Sequence, residues 1–191
     1  MELSPILYHR IIRPKWLSRF YIHNRIEKFL KLDDKHVLDF GAGTGVNCTL
    51  CCPEKYQGID PDVKRIEYAK KLYPDYVFNV FDNDKLTKQE NSVDVVLIIA
   101  VLHHIPPEKI REYAIQFKAV LKPGGMVVAI EPCLFDKKHI SNWYMQTADN
   151  GSYIQNERGY HDYFEQAGFT CKTIQRFKKC FLYNELFFVA Y

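Results

Sequence analysis

Val37-Leu38-Asp39-Phe40-Gly41-Ala42-Gly43-Thr44-Gly45 decides how the rest of this 191-residue sequence is read. Three apolar residues around one acid predict a buried strand. The glycines predict a tight turn, because only a residue without a Cβ lets the backbone turn sharply and lie against a ligand. A helix-like run, Val46 to Leu50, follows. A helix N-terminus placed after such a turn carries free N–H groups and partial positive charge. The stretch therefore predicts a ligand-binding strand-turn-helix.

The glycine spacing is G-x-G-x-G, with Val46 where the third glycine of the dinucleotide fingerprint G-x-G-x-x-G would fall. A second acid, Asp60, closes the run Tyr56-Gln57-Gly58-Ile59, 21 positions after Asp39. An acid at that distance, at the end of the next strand, suits a pair of ribose hydroxyls. A carboxylate accepts both hydroxyl hydrogens and repels a 2′-phosphate, which argues against NADP. Asp60 also reads as a helix N-cap before Pro61. Capping uses one oxygen and leaves the other, so the two roles are compatible.

At these residues the sequence resembles the class I S-adenosylmethionine (SAM)-dependent methyltransferases. Asp39 to Gly45 matches the family's glycine loop, and Gly58-Ile59-Asp60-Pro61 its ribose-binding acid. Asp94 to His104 matches the fourth strand and the loop after it, and Leu121-Lys122-Pro123-Gly124-Gly125 the turn before the fifth. The resemblance implies a doubly wound (Rossmann-like) α/β fold. Its seven-stranded, mostly parallel sheet has an antiparallel last strand and helices on both faces. It implies SAM as cofactor and S-adenosyl-L-homocysteine as product. Asp39, Gly41, Ala42, Gly43, Gly45, Asp60 and Pro61 are then cofactor-binding, with Ile99 and Ala100 near the methionine part. Asp82, beside Asn83, matches the acid that reads the adenine amino group; Asp84, or a turn role for all three residues, competes with that reading.

At 191 residues and 47% hydrophobic, the chain can bury one good core, and its length predicts a single domain over 1–191. The formal charge of +3 is too mild to suggest a nucleic-acid binder. Cys48, Cys51 and Cys52 cluster, but no nearby histidine completes a metal site. Reduced thiols in a cytoplasmic protein, with no metal, are the reading. No secretory signal and no membrane-spanning run is legible.

Residues 1–36 carry eight Lys and Arg against four acids, so this segment is +4 and the remainder −1. Trp16 to Leu32 predicts a helix. By family analogy this segment lies over the cofactor and acceptor mouth as a lid, making Tyr8, His9, Arg10 and Arg13 acceptor-pocket candidates. A solvated basic face is the bland alternative, and peripheral contact with an anionic membrane surface a third. Further helices are expected over Asp62–Leu72, Glu108–Leu121, Ser141–Ala148 and Gly159–Ala167. Strands are expected over Tyr76–Val80, Val93–Ala100, Met126–Ile130, Phe169–Phe177 and Leu186–Tyr191. The connection 131–159 is long enough to be functional, and with its aromatics (Tyr153 among them) it predicts an acceptor-side insertion.

In-line methyl displacement needs mainly positioning, whereas an oxygen acceptor of high pKa needs a base, worth roughly 10²–10⁴-fold. His103 and His104 fall at the strand edge where ligands bind in open α/β sheets, and are the catalytic candidates; His161, His9 and Glu131 are further candidates for the base, and Glu131 is also counted with the acceptor-pocket residues. A histidine packed under the loop and bonded to backbone is the alternative for each. The expected function is methyl transfer from SAM to a small-molecule, glycan or lipid-linked acceptor, without nucleic acid. A non-catalytic SAM-fold scaffold and a nucleotide-dependent oxidoreductase are the rivals. Whether O, N or C is methylated, and the oligomeric state, are not legible.

Overall fold

Strand β1 (Val37–Phe40) is buried along its whole length, as its apolar frame around Asp39 requires. In the computed structural model the described residues are 15–191 apart from 83, 87, 149, 150, 181 and 182. The other strands are β2 (Tyr56–Asp60), β3 (Val77–Val80), β4 (Val93–Ile99), β5 (Leu121–Pro132), β6 (Cys171–Lys179) and β7 (Tyr183–Ala190). They form one seven-stranded sheet of order β3-β2-β1-β4-β5-β7-β6. The pairs β1–β2, β2–β3 and β4–β5 are parallel, and β7 runs antiparallel to both β5 and β6. This is the doubly wound, mostly parallel architecture with an antiparallel last strand that the sequence implied. Contacts gather the chain into two compact units, 1–87 and 88–191.

The first unit begins with a helical stretch that is not one regular helix. Helix α1 (Lys15–Ser18) runs into a π-helical segment, Arg19–His23, and then into α2 (Asn24–Phe29). The wider π turn shifts the helix face, so Ile22, His23 and Ile26 are buried while Trp16 and Phe20 are 70% and 61% exposed. A regular helical count over Trp16 to Leu32 is defeated by the inserted residue in this turn. Helix α3 (Val63–Leu72) is capped by Asp62, whose Oδ1 accepts the N–H groups of Lys64 and Arg65. The cap is therefore Asp62, not Asp60. Ile66 and Ala69 face in, whereas Val63 and Leu72, expected on the same face, are exposed.

Phe78 holds this unit together. It is the one buried residue of β3, and its ring lies against two glycines. A Cβ on Gly45 would come within 2.7 Å of Phe78 Cζ, and one on Gly58 within 2.8 Å of both Phe78 Cδ1 and Ala42 Cβ. Gly58 is thus required for close packing, and Gly45 for both packing and its φ of +81°.

The second unit is built on β4, whose residues Val95 to Ile99 are all buried, as a central parallel strand should be. Helix α4 (Pro107–Val120) buries Ile110, Tyr113, Ala114, Phe117 and Val120. β5 starts five residues earlier than its apolar run suggests. Val93 pairs with Leu121 and Val95 with Met126, and the intervening Pro-Gly-Gly turn is absorbed as an irregularity in the ladder. Helices α5 (His139–Ala148) and α6 (Glu157–Glu165) follow. α6 starts before Gly159 because Asn156 Oδ1 accepts the Gly159 N–H and caps the helix two residues earlier than expected. Tyr160 and Phe164 of α6 pack on Phe188 of β7. Among the described residues, no helix is long and apolar enough to cross a membrane.

Gly58→Ala is expected to destabilise the protein by about 1–3 kcal/mol, the cost of forcing a methyl into a filled space. Urea unfolding of the variant checks this, and an unchanged midpoint would show that Phe78 yields freely.

Candidate functional site

In the first unit the loop after β1 carries Gly41, Gly43 and Gly45 at φ of 76°, 55° and 81°. All three lie in the left-handed region that a side chain disfavours. The loop N–H groups have specific partners. Those of Gly41 and Ala42 donate to Ile59 O at 2.8 and 2.9 Å, and that of Gly45 to Ala42 O at 2.9 Å. The Gly43 N–H donates to Asp60 Oδ2 at 2.8 Å. The run from Val46 to Leu50 is a 3₁₀ helix rather than an α-helix. The loop N–H groups expected to face a ligand are thus largely spent on holding the loop to β2.

Asp60 is 5% exposed. Its Oδ1 accepts the Asp62 N–H at 2.9 Å, so each oxygen carries one backbone hydrogen bond and keeps room for another donor. A Cβ on Gly43 would meet only Asp60 Oδ2, at 4.0 Å, so open space lies beside the loop at this carboxylate. A ribose with two hydroxyl donors fits that arrangement. Burial pushes the Asp60 carboxyl up from its usual range, against the lowering effect of the Asp62 and Gly43 N–H groups. Pro61, next along, is exposed.

Asp39 is fully buried and serves its own unit. Its Oδ2 accepts the Tyr56 hydroxyl at 2.7 Å, and Asn47 Nδ2 lies 3.3 Å away. Asn47 Oδ1 in turn meets His23 Nε2 at 3.3 Å. His23, Asn47 and Tyr56 were not singled out in the sequence. Gly58 was the available signal: it pairs with Asp39 in the ladder, and a Cβ there would press on the Tyr56 hydroxyl at 2.9 Å. Cys48 and Cys51, in C-x-x-C spacing, are buried and not disulfide-bonded, and burial above all pushes the Cys51 thiol up. That makes it a packing residue rather than a nucleophile. Asp82 is exposed, and its Oδ1 accepts the Asp84 N–H at 3.1 Å, the turn geometry that competes with adenine binding. Asn83, Tyr8, His9, Arg10 and Arg13 lie outside the described residues.

In the second unit β4 ends at buried Ile99, and Ala100 follows at φ +55°, a conformation uncommon for a residue with a Cβ. Such strain persists where the surroundings fix it, and clusters at functional sites. Here the Ala100 N–H donates to Ile130 O at 2.8 Å. Glu131, fully buried, accepts the N–H groups of Val101 and Leu102 on Oε1, at 2.7 and 3.0 Å. Its Oε2 meets His103 Nδ1 at 2.8 Å. His103 is 3% exposed, His104 is exposed, and their rings lie 4.0 Å apart. The Tyr153 N–H donates to His103 O at 3.0 Å. His103, Glu131 and Tyr153 are thus brought together. With the Nδ1 proton donated to the carboxylate, Nε2 is the ring's basic nitrogen.

Residues 14–174 match the model of the methyltransferase domain family. The chain is 29% identical over 157 residues to O-methyltransferase 3 of Dictyostelium discoideum, covering 70% of this chain and 36% of that protein. It is 28% identical over 149 residues to a ubiquinone biosynthesis O-methyltransferase of Coxiella burnetii, covering 72% and 59%. The chain therefore spans about two to three fifths of the length of these curated relatives. A SAM-dependent methyltransferase of Thermotoga maritima superposes with a TM-score of 0.72 at 16% identity, covering 97% and 96% of the two chains. The chain belongs to the methyltransferase domain family, with the class I fold whose cofactor is SAM.

Because its folded-state pKa is raised, Asp60 holds a proton more tightly folded than unfolded. Its contribution to stability is therefore lost as pH rises from the ordinary carboxyl range through the raised value. Urea unfolding at a series of acidic pH values is expected to show that decline in the wild type and a flatter profile in Asp60→Asn.

Proposed function

We propose that this chain transfers a methyl group from SAM to a hydroxyl of a small-molecule acceptor, with His103 as base and Glu131 as its positioning residue. The buried His103–Glu131 pair at the end of β4 carries the reading, since carbon or amine acceptors have less need of an oriented base. Two relatives named as O-methyltransferases support the choice of oxygen.

SAM, when bound, supplies a methyl on positively charged sulfur, which keeps the electron pair of the broken bond as S-adenosylhomocysteine leaves. The loop from Gly41 to Gly45 provides the surface on which the cofactor rests, and Asp60 takes the ribose hydroxyls on its two remaining acceptor positions. Pro61 follows it, Asp82 offers the adenine edge the oxygen that its turn does not use, and Ile99 and Ala100 lie by the methionine part. His103 Nε2 accepts the acceptor's hydroxyl proton as the new O–C bond forms. Glu131 fixes the ring's tautomer and orientation; both its oxygens are engaged, so it acts through His103 rather than on the acceptor. Tyr153 borders the acceptor, within an insertion over 131–159.

Three outcomes are expected. His103→Gln lowers kcat by about 10²–10⁴-fold and leaves S-adenosylhomocysteine affinity unchanged. Glu131→Gln presents an amide N–H to Nδ1, favours the wrong tautomer, and lowers kcat more than it changes KM. Asp60→Ala weakens S-adenosylhomocysteine binding in titration calorimetry by about 1.5–3 kcal/mol, the scale of a hydrogen bond to a charged group. A fully active His103→Gln enzyme would remove the base from the mechanism.

A further inference from the structure

The second unit holds a cleft of ≈ 660 Å³ whose lining includes Phe135, Asp136, Lys138, Glu157, His161 and Arg176. It is tied to the dyad by chain and by sheet. Tyr153 is bonded to His103 through its backbone, Gln155 bridges Cys133, the Gln155 carbonyl accepts the Leu134 N–H, and the next residues line the cleft. In the sheet, Glu131 pairs with Leu186 and Leu186 with Arg176, so Glu131 and Arg176 share one row. Two strand spacings separate them, about 10 Å.

The charges of the cleft divide into committed and uncommitted groups. Glu157 is ionised: against the upward push of burial, hydrogen bonds from Arg176 and Thr173 hold its carboxyl below the usual range. Burial lowers the His161 pKa, so that ring is neutral at neutral pH. Arg158 is paired with Asp162 and Glu165. Arg176 engages Glu157 through Nε, and the rest of its guanidinium fork carries further donors. Lys138 and Asp136 make no side-chain hydrogen bond or close ion pair with another described residue, and Asp136 acts on Arg176 only through its charge at longer range. What is left for a ligand is one ammonium, the remainder of one guanidinium, and one carboxylate beside a phenyl ring.

We propose, on the basis of the methyl-transfer reading above, that this cleft holds a zwitterionic head group of the acceptor, an ammonium–carboxylate pair of the amino-acid type. Lys138 and Arg176 take the carboxylate, and Asp136 takes the ammonium. The backbones of Glu131 and Arg176 lie about 10 Å apart along the row, the length scale of a phenol carried on a short chain. A simple anion would leave Asp136 opposed to it, and a simple cation would leave Lys138 so; a head group of both signs satisfies each.

Calorimetry on protein saturated with S-adenosylhomocysteine tests this with three probes: tyrosine, tyramine, which lacks the carboxylate, and 3-(4-hydroxyphenyl)propionate, which lacks the ammonium. Tyrosine is expected to bind at least about tenfold more tightly than either. Lys138→Gln should erase its advantage over tyramine, and Asp136→Asn its advantage over the propionate, with unchanged thermal melting. Equal affinity for all three, no binding of any, or advantages that survive both substitutions would overturn the inference. S-adenosylhomocysteine binding in the same samples separates the two levels. If it is intact, only the head-group inference is lost; if it is absent, the methyl-transfer reading is lost as well.

Discussion

The carboxylate of Asp60, accepting the Gly43 N–H on one oxygen and the Asp62 N–H on the other, is the constraint on which the first unit depends. It sits at the end of β2, and one bond holds the glycine loop while the other sets the entry to α3. Bonds to an ionised carboxylate contribute about 1.5–3 kcal/mol each, enough to offset part of the cost of burying a charge. The loop can accept this geometry only because Gly43, at φ +55°, carries no side chain. Phe78 then closes the other side, against Gly45 and Gly58.

The second unit solves a similar problem with a different acid. Glu131, at zero exposure, gathers two backbone N–H groups and one imidazole N–H into a single carboxylate. The chain leaving β4 would otherwise bury two unpaired N–H groups, each a cost of about 1–3 kcal/mol. Satisfying them fixes the segment from Val101 to His103 and, with it, the histidine ring. A structural need and the orientation of the proposed base therefore rest on the same side chain. Both units place a buried acid where a strand gives way to a loop, and in each the acid's partners are mostly main-chain groups.

Much of this was legible in the residues. The apolar runs gave the seven strands, because a parallel sheet covered on both faces leaves little polar alternation to confuse them. The G-x-G-x-G spacing and the acid 21 positions on marked the loop and its partner. Helix faces were less legible. The π segment at Arg19–His23 slips the register of Phe20, and Asn156 starts α6 earlier than its glycine suggested. Both depend on local hydrogen bonds that composition does not display.

The sequence by itself determined the fold class, the cofactor family, and the residue types at the strand ends, since strand periodicity and glycine spacing are local properties written in order along the chain. Tertiary structure alone decided which donors each acid meets within the chain. Asp39 turned to Tyr56 and Asn47, Glu131 to the loop after β4, and Asp82 to its own turn. The physical reason is that a carboxylate's role is set by which donors surround it once it is desolvated. Those donors come from residues as far apart as 101 and 131 in the chain, a separation that sequence spacing does not encode.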